Sequence, residues 1–293
     1  MRNRPTSILC ALVVLSAVAA QTAGGAPVAA RWIVFSALPD GVPPAQLFRI
    51  QTTGEGLEQI TKGKNPATDP AFSPNGKRVA FARLASGIFV MNLEGSGVRR
   101  LTSGAHDIFP VWSPDGTRIA FLRQHRTEWR LHVMKASGRG LHRLKLAPPS
   151  GRPSWTANGR SIFIPGRGAL QKVDARTGRP QKHIQFREDL PISATTSPDS
   201  RKVAFVGPRP SAPGCGEVSC VVFALYLGDV SRARTQKFVN DGGPAGWSPD
   251  SKTLAFVYRG ALALWPVGAG TRSTLKTGSH VAQADAPPAW QPR

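Results

Sequence analysis

The chain has 293 residues, with 38 Lys and Arg against 17 Asp and Glu and a formal net charge of +21. That length suffices for one large domain with a sizeable core. The charge fits either an anionic partner or an Arg-rich surface of no special role. The cations are scattered, with a modest cluster from Arg126 to Lys145, and no nucleic-acid motif accompanies them, which argues against DNA or RNA.

The first element is a secretory signal at residues 1–20. Arg2 and Arg4 precede an apolar run from Ile8 to Leu15, and Val18-Ala19-Ala20 offers a small-residue cleavage site. The run is short for a membrane span, and Cys10 stands too early in it for a lipoprotein site. Residues 21–30 read as a flexible leader. Removing residues 1–30 takes away two Arg and no acid, so the formal charge falls from +21 to +19. The expected location is secreted or periplasmic, with no transmembrane span after signal removal.

From residue 31 a repeat takes over. Phe72-Ser-Pro-Asn-Gly-Lys-Arg-Val-Ala-Phe81 returns as Trp112 to Phe121, Trp155 to Ile164, Thr196 to Phe205 and Trp247 to Phe256, at intervals of 40 to 51 residues. Periods of about 40–50 residues are those of four-stranded propeller blades. The Ser-Pro-Asp-Gly type of turn follows strand A, with Pro presetting φ and Gly accepting a positive φ. Strand B is β-branched and aromatic, as in Arg118-Ile-Ala-Phe121. Strand C follows, as in Leu131 to Met134, and then strand D, as in Val98 to Thr102 or Leu141 to Leu144.

A sixth copy is split between the chain ends. Trp32 to Phe35 supplies its strand B, and Pro288-Ala-Trp290-Gln-Pro292 its strand A. Pairing them closes a ring and hides two sheet edges. The expected fold is all-β, a six-bladed propeller over residues 31–293. Its composite blade spans 31–62 plus 286–293, and the others lie at about 69–103, 109–146, 152–187, 193–240 and 243–277.

At these residues the chain resembles the TolB-type six-bladed propellers, whose hallmark is Pro-x-Trp-Ser-Pro-Asp-Gly followed by Ile-Ala-Phe and an Arg-Arg-Leu-Thr-like fourth strand. Pro110 to Gly116 and Arg99 to Thr102 match it. The resemblance covers residues 31–293 and implies partner proteins bound at the channel mouth. The family's namesake carries an extra N-terminal domain that engages inner-membrane partners, and the stretch before the first blade here is too short for one. Prolyl-oligopeptidase-like enzymes set a hydrolase domain beside a similar propeller, and that domain is likewise not expected.

Catalytic signatures are few. There is no Gly-x-Ser-x-Gly, no His-Glu-x-x-His and no Cys-x2-Cys, so no catalytic, cofactor-binding or metal residues are assigned. The turn acids Asp115, Asp199 and Asp250 read as turn chemistry. Trp112, Trp155, Trp247 and Trp290 read as packing residues between blades, with Thr196 breaking the pattern. Cys215 and Cys220 fall in the insertion that stretches one interval to 51, and an oxidising compartment makes them a disulfide.

Strand A runs toward the repeated turn, so the loops before strand A and between strands B and C share the other end of the ring. They frame the channel mouth with Asp69, His106, Asp107, Asp189, Asp241, His280 and Asp285, to which the B–C loops add Arg83, Arg123, His125 and Arg259. Loops positioned by a rigid scaffold are where binding groups gather.

The expected function is that of a monomeric, non-enzymatic envelope or secreted propeller binding a protein, peptide or anionic polymer at this mouth. The alternatives are a lyase or hydrolase acting on anionic polysaccharide, as in oligogalacturonate lyases with their similar repeat, and a purely structural interaction module.

Overall fold

The computed structural model describes residues 31–104, 106–166, 169–186, 193–209, 222–240, 242–268, 271–278, 280–282 and 287–292. Five four-stranded antiparallel sheets and one five-stranded sheet form the six blades. Numbered around the ring, the innermost strands of blades 2 to 6 are Ala67–Phe72, Asp107–Trp112, Ser154–Trp155, Ser193–Thr196 and Gly242–Trp247. Strand B of blade 1 is Trp32–Leu38, and Ala289–Trp290 pairs with it through Ile33↔Trp290 and Val34↔Ala289. Val281–Ala282 extends the same edge, opposite Leu38 and Ala37. The inner strand of the composite blade thus starts earlier than the motif indicates, in two pieces.

The repeat's Phe position explains the core. Phe35, Phe81, Phe121, Phe205 and Phe256 are all buried to within 1% exposure. Burying each such ring contributes about 1.5–3 kcal/mol. Strand periodicity divides the faces between neighbours. Val79 and Phe81 of blade 2 join the cluster with Val34 and Leu47 of blade 1. Ala80 and Ala82 join Ile119, Phe121 and Met134 of blade 3. In blade 2, strand B thus turns Val79 and Phe81 to one neighbour and the smaller Ala80 and Ala82 to the other, and blades packed face to face in this way stack into a ring.

Three inner strands carry a β-bulge, between Thr68 and Ala71, Ile108 and Val111, and Gly242 and Ala245. Asp69 and Phe109 occupy corresponding bulge positions, each with φ 56°. Each bulge shifts the residues before it by one position against strand B.

Candidate functional site

At the mouth the structure separates the sequence candidates into three groups. Asp107 is not a loop residue open to a ligand. It begins strand A of blade 3 with its side chain fully buried. Its carboxylate accepts hydrogen bonds from Arg123 Nε and Nη2, both at 2.7 Å. It also accepts from the Thr102 hydroxyl, whose oxygen takes the Ile88 N–H at 2.9 Å. The Thr of Arg-Arg-Leu-Thr thus ties the outer half of blade 2 to the inner strand of blade 3. Arg123, its guanidinium 5.6 Å above the Phe121 ring, is committed to the same network. Asp69 is also buried, and it accepts from the Thr68 hydroxyl at 3.1 Å.

His280 is structural as well. Its Nδ1 accepts the Asp40 N–H at 3.0 Å, and its ring lies 4.5 Å from that of Phe48. The third group is exposed: His106, His125 and Arg259. The Gln124 N–H donates to the His106 carbonyl at 3.0 Å, which brings His106 and His125 to one edge of the mouth. Arg259, at φ 50°, leans over Tyr258 at 5.2 Å. Asp189, Asp241 and Asp285, like Cys215 and Cys220, lie outside the described residues. Among the described residues no three His, Cys, Asp or Glu are grouped to hold a metal.

The opposite end is paved by the repeated turn. Ser113 Oγ accepts the Arg118 N–H at 2.9 Å and donates to Asp115 Oδ1, which in turn accepts the Thr117 N–H at 3.0 Å. The Ser113 hydroxyl and the Thr117 N–H hold the Asp115 carboxyl below the ordinary carboxylate range. Ser197 with Asp199 and Ser248 with Asp250 repeat the arrangement. The turn acids therefore work inside their turns.

The lead residues latch blade to blade. Indole Nε1 donates from Trp155 to Val111 O at 3.2 Å, from Trp247 to Thr195 O at 2.9 Å, and from Trp290 to Gly246 O at 2.9 Å. Thr196 replaces the indole with a hydroxyl that meets Ser154 Oγ at 2.6 Å. Trp112 departs from the pattern, because its Nε1 is buried with no hydrogen-bond partner.

These Trp residues and the turn prolines enclose a cavity of about 460 Å³ at the turn end of the channel. Arg152 lines its inner part. It occupies the position held by Asp69 and Phe109 in blades 2 and 3, three residues before the lead residue. Arg152 Nη2 donates to the carbonyls of Pro70 at 3.1 Å and Pro110 at 3.4 Å. The guanidinium thus reaches from blade 4 across to blades 2 and 3. Burial pulls it below its ordinary value, with the charge of Asp69 opposing. Sequence reasoning missed Arg152; aligning the residue three before each lead position would have set it beside Asp69.

Around the outer rim, successive strands D expose Arg99 and Arg100, then His142 and Arg143, then Lys182 and His183. The three blades together carry a basic arc.

A family model, the TolB beta propeller domain, matches residues 27–189, more than half of the chain. The chain belongs to the TolB β-propeller family. A TolB homolog of Chlorobium luteolum is 32% identical over 160 residues, 52% of this chain and 35% of that protein. An uncharacterized peptidase of Bacillus subtilis is 32% identical over 80 residues, 26% of this chain and 12% of that protein. The chain thus spans about a third or less of the length of these two curated relatives. Among solved structures, TolB from Acinetobacter baumannii superposes with a TM-score of 0.72 at 19% identity, covering 90% of this chain and 67% of that one. A chain of a nidogen/laminin complex gives 0.67 at 11% identity, covering 89% and 98%. At such identities these two structures share the fold. Among the described residues no helix is long and apolar enough to cross a membrane.

Proposed function

We propose that this TolB-family propeller is an exported, non-enzymatic binding protein whose channel mouth receives a protein or peptide partner. One observation carries the reading. At the turn end the Ser and Asp side chains are consumed by their own turns, whereas the mouth connections differ from blade to blade and leave His106, His125 and Arg259 exposed. Specific recognition needs polar groups that are held in place yet still able to bond outward. The export signal at residues 1–20 and the disulfide between Cys215 and Cys220 belong to the same proposal.

The test replaces His106, His125 and Arg259 together by Ala and, separately, Lys77 and Thr117 at the turn end. Partner capture from envelope extract, identified by mass spectrometry after crosslinking, is expected to fall only for the mouth triple. Loss with the turn-end pair and retention with the triple would assign the partner to the other face.

The basic arc supports a second reading, in which the rim binds an anionic envelope polymer. Its affinity would drop steeply between low and physiological salt, and replacing Arg99, Arg100, Arg143 and Lys182 by Gln would remove it without affecting capture at the mouth.

A further inference from the structure

We propose that the turn end of the channel is a second binding site, for a molecule with an apolar body and a carboxylate that pairs with Arg152. It is separate from the mouth and does not depend on the partner proposed there.

Three features converge. The cavity of about 460 Å³ has the size of a small-ligand site. Its rim is made by the second residue of the repeated turn, Pro74, Pro114, Pro198, Pro249 and Pro292, so the entrance is apolar on every side where those turns reach it. The inner part holds a cation. Arg152 is 6% exposed, and its Nη1 is buried with no hydrogen-bond partner.

The charge balance at Arg152 is incomplete. A buried guanidinium is costly unless it is paired and its N–H groups are met. Here two backbone carbonyls take Nη2, and no described carboxylate comes within ion-pairing distance. Asp69 acts on it only as a more distant charge. An incoming carboxylate would supply both the missing acceptor and the missing negative charge, through charge-assisted bonds that suit the planar guanidinium fork. The proline rings and the indole faces would take up the rest of the molecule. A neutral acceptor would meet the same N–H but bring no negative charge, so it gains less, and a cation is repelled.

Such a carboxylate has two sources, a free organic acid or the C-terminus of an apolar peptide. The probes are 3-phenylpropionate against 3-phenylpropanamide, and an acetylated Ala-Pro-Ala-Phe peptide with a free against an amidated C-terminus. Binding is read by tryptophan fluorescence and thermal shift on the mature protein. The acid form of at least one pair is expected to bind about tenfold or more tightly than its amide. Whichever pair shows this identifies the source. Arg152→Gln should abolish the preference for the acid. Ala157→Trp, an exposed rim position, should block both forms, and it keeps the test open if Arg152→Gln fails to fold. The mouth triple His106, His125 and Arg259 to Ala should bind the acids unchanged, so failure of the mouth proposal leaves this one standing. Equal binding of acid and amide, undiminished binding by Ala157→Trp, or no saturable binding of either acid at millimolar concentration would overturn it.

Discussion

Asp107 and Arg123 face each other across the first two strands of blade 3, joined by two hydrogen bonds of 2.7 Å, with the carboxylate fully buried and the guanidinium about a quarter exposed. Cutting such a pair from either side is unequal. Asp107→Ala leaves a guanidinium and the Thr102 hydroxyl without their acceptor and should cost about 3 kcal/mol. Arg123→Ala leaves the buried carboxylate and should cost at least as much. The double variant should be less damaged than the sum of the two. Urea unfolding of the four proteins measures the coupling, and additive losses would mean that the pair is not a unit.

The indole latches give an internal comparison. Trp155→Phe and Trp247→Phe each lose a bond to the preceding blade and should cost about 1 kcal/mol beyond the smaller ring. Trp112→Phe removes a donor that has no partner, so it should cost less than either. Equal thermal shifts for all three would show that the indole N–H groups contribute nothing.

Two of the repeated turns put Ser where the others have Gly. Ser200 has φ 59° and Ser251 φ 61°. Their hydroxyls accept the N–H of Ala157 at 3.1 Å and of Asp199 at 3.2 Å, each in the previous blade's turn. Ser251→Ala keeps the unfavourable φ and loses the bond, and should cost about 1 kcal/mol. Ser251→Gly loses the bond but relaxes the backbone, and should come close to neutral. A glycine variant less stable than the alanine variant would refute this account.

His132 makes stability depend on pH. Burial lowers its pKa from the ordinary 6.5; the Arg130 carbonyl and Asp107 oppose the shift, while Arg123 and Arg143 reinforce it. With the folded value below the unfolded one, the unfolded chain takes up the proton first as pH falls. The contribution of His132 is therefore complete above about 6.5, declines below it, and levels off beneath the folded value. His132→Gln should flatten that part of the stability profile, as followed by denaturant midpoints from pH 8 to 5.

The ring was legible because turn chemistry and strand periodicity repeat in phase, and because half a blade stands near each chain end. The roles of the mouth acids were not. From Trp112↔Ile119, a regular hairpin would set Asp107 opposite Gln124. The bulge between Ile108 and Val111 moves it opposite Arg123 and into the interior. A single residue at positive φ, Phe109, thus turned an apparent loop acid into a buried one, and a lone sequence carries no mark of that shift. Arg152 escaped notice for a related reason. Its chemistry depends on the carbonyls of Pro70 and Pro110, which belong to two other blades.

Trp32 donates its N–H to Gln291 Oε1, 259 positions further along. The strand Trp32–Leu38 must therefore wait for residues synthesised about as many positions later. At about 5–20 residues per second, that delay is roughly 10–50 s. Throughout it, the edge of Trp32–Leu38 that later takes Ala289–Trp290 stands open to any other strand. Closure therefore cannot precede the synthesis of Ala289–Trp290, and any product that stops short of Ala289 keeps that edge bare.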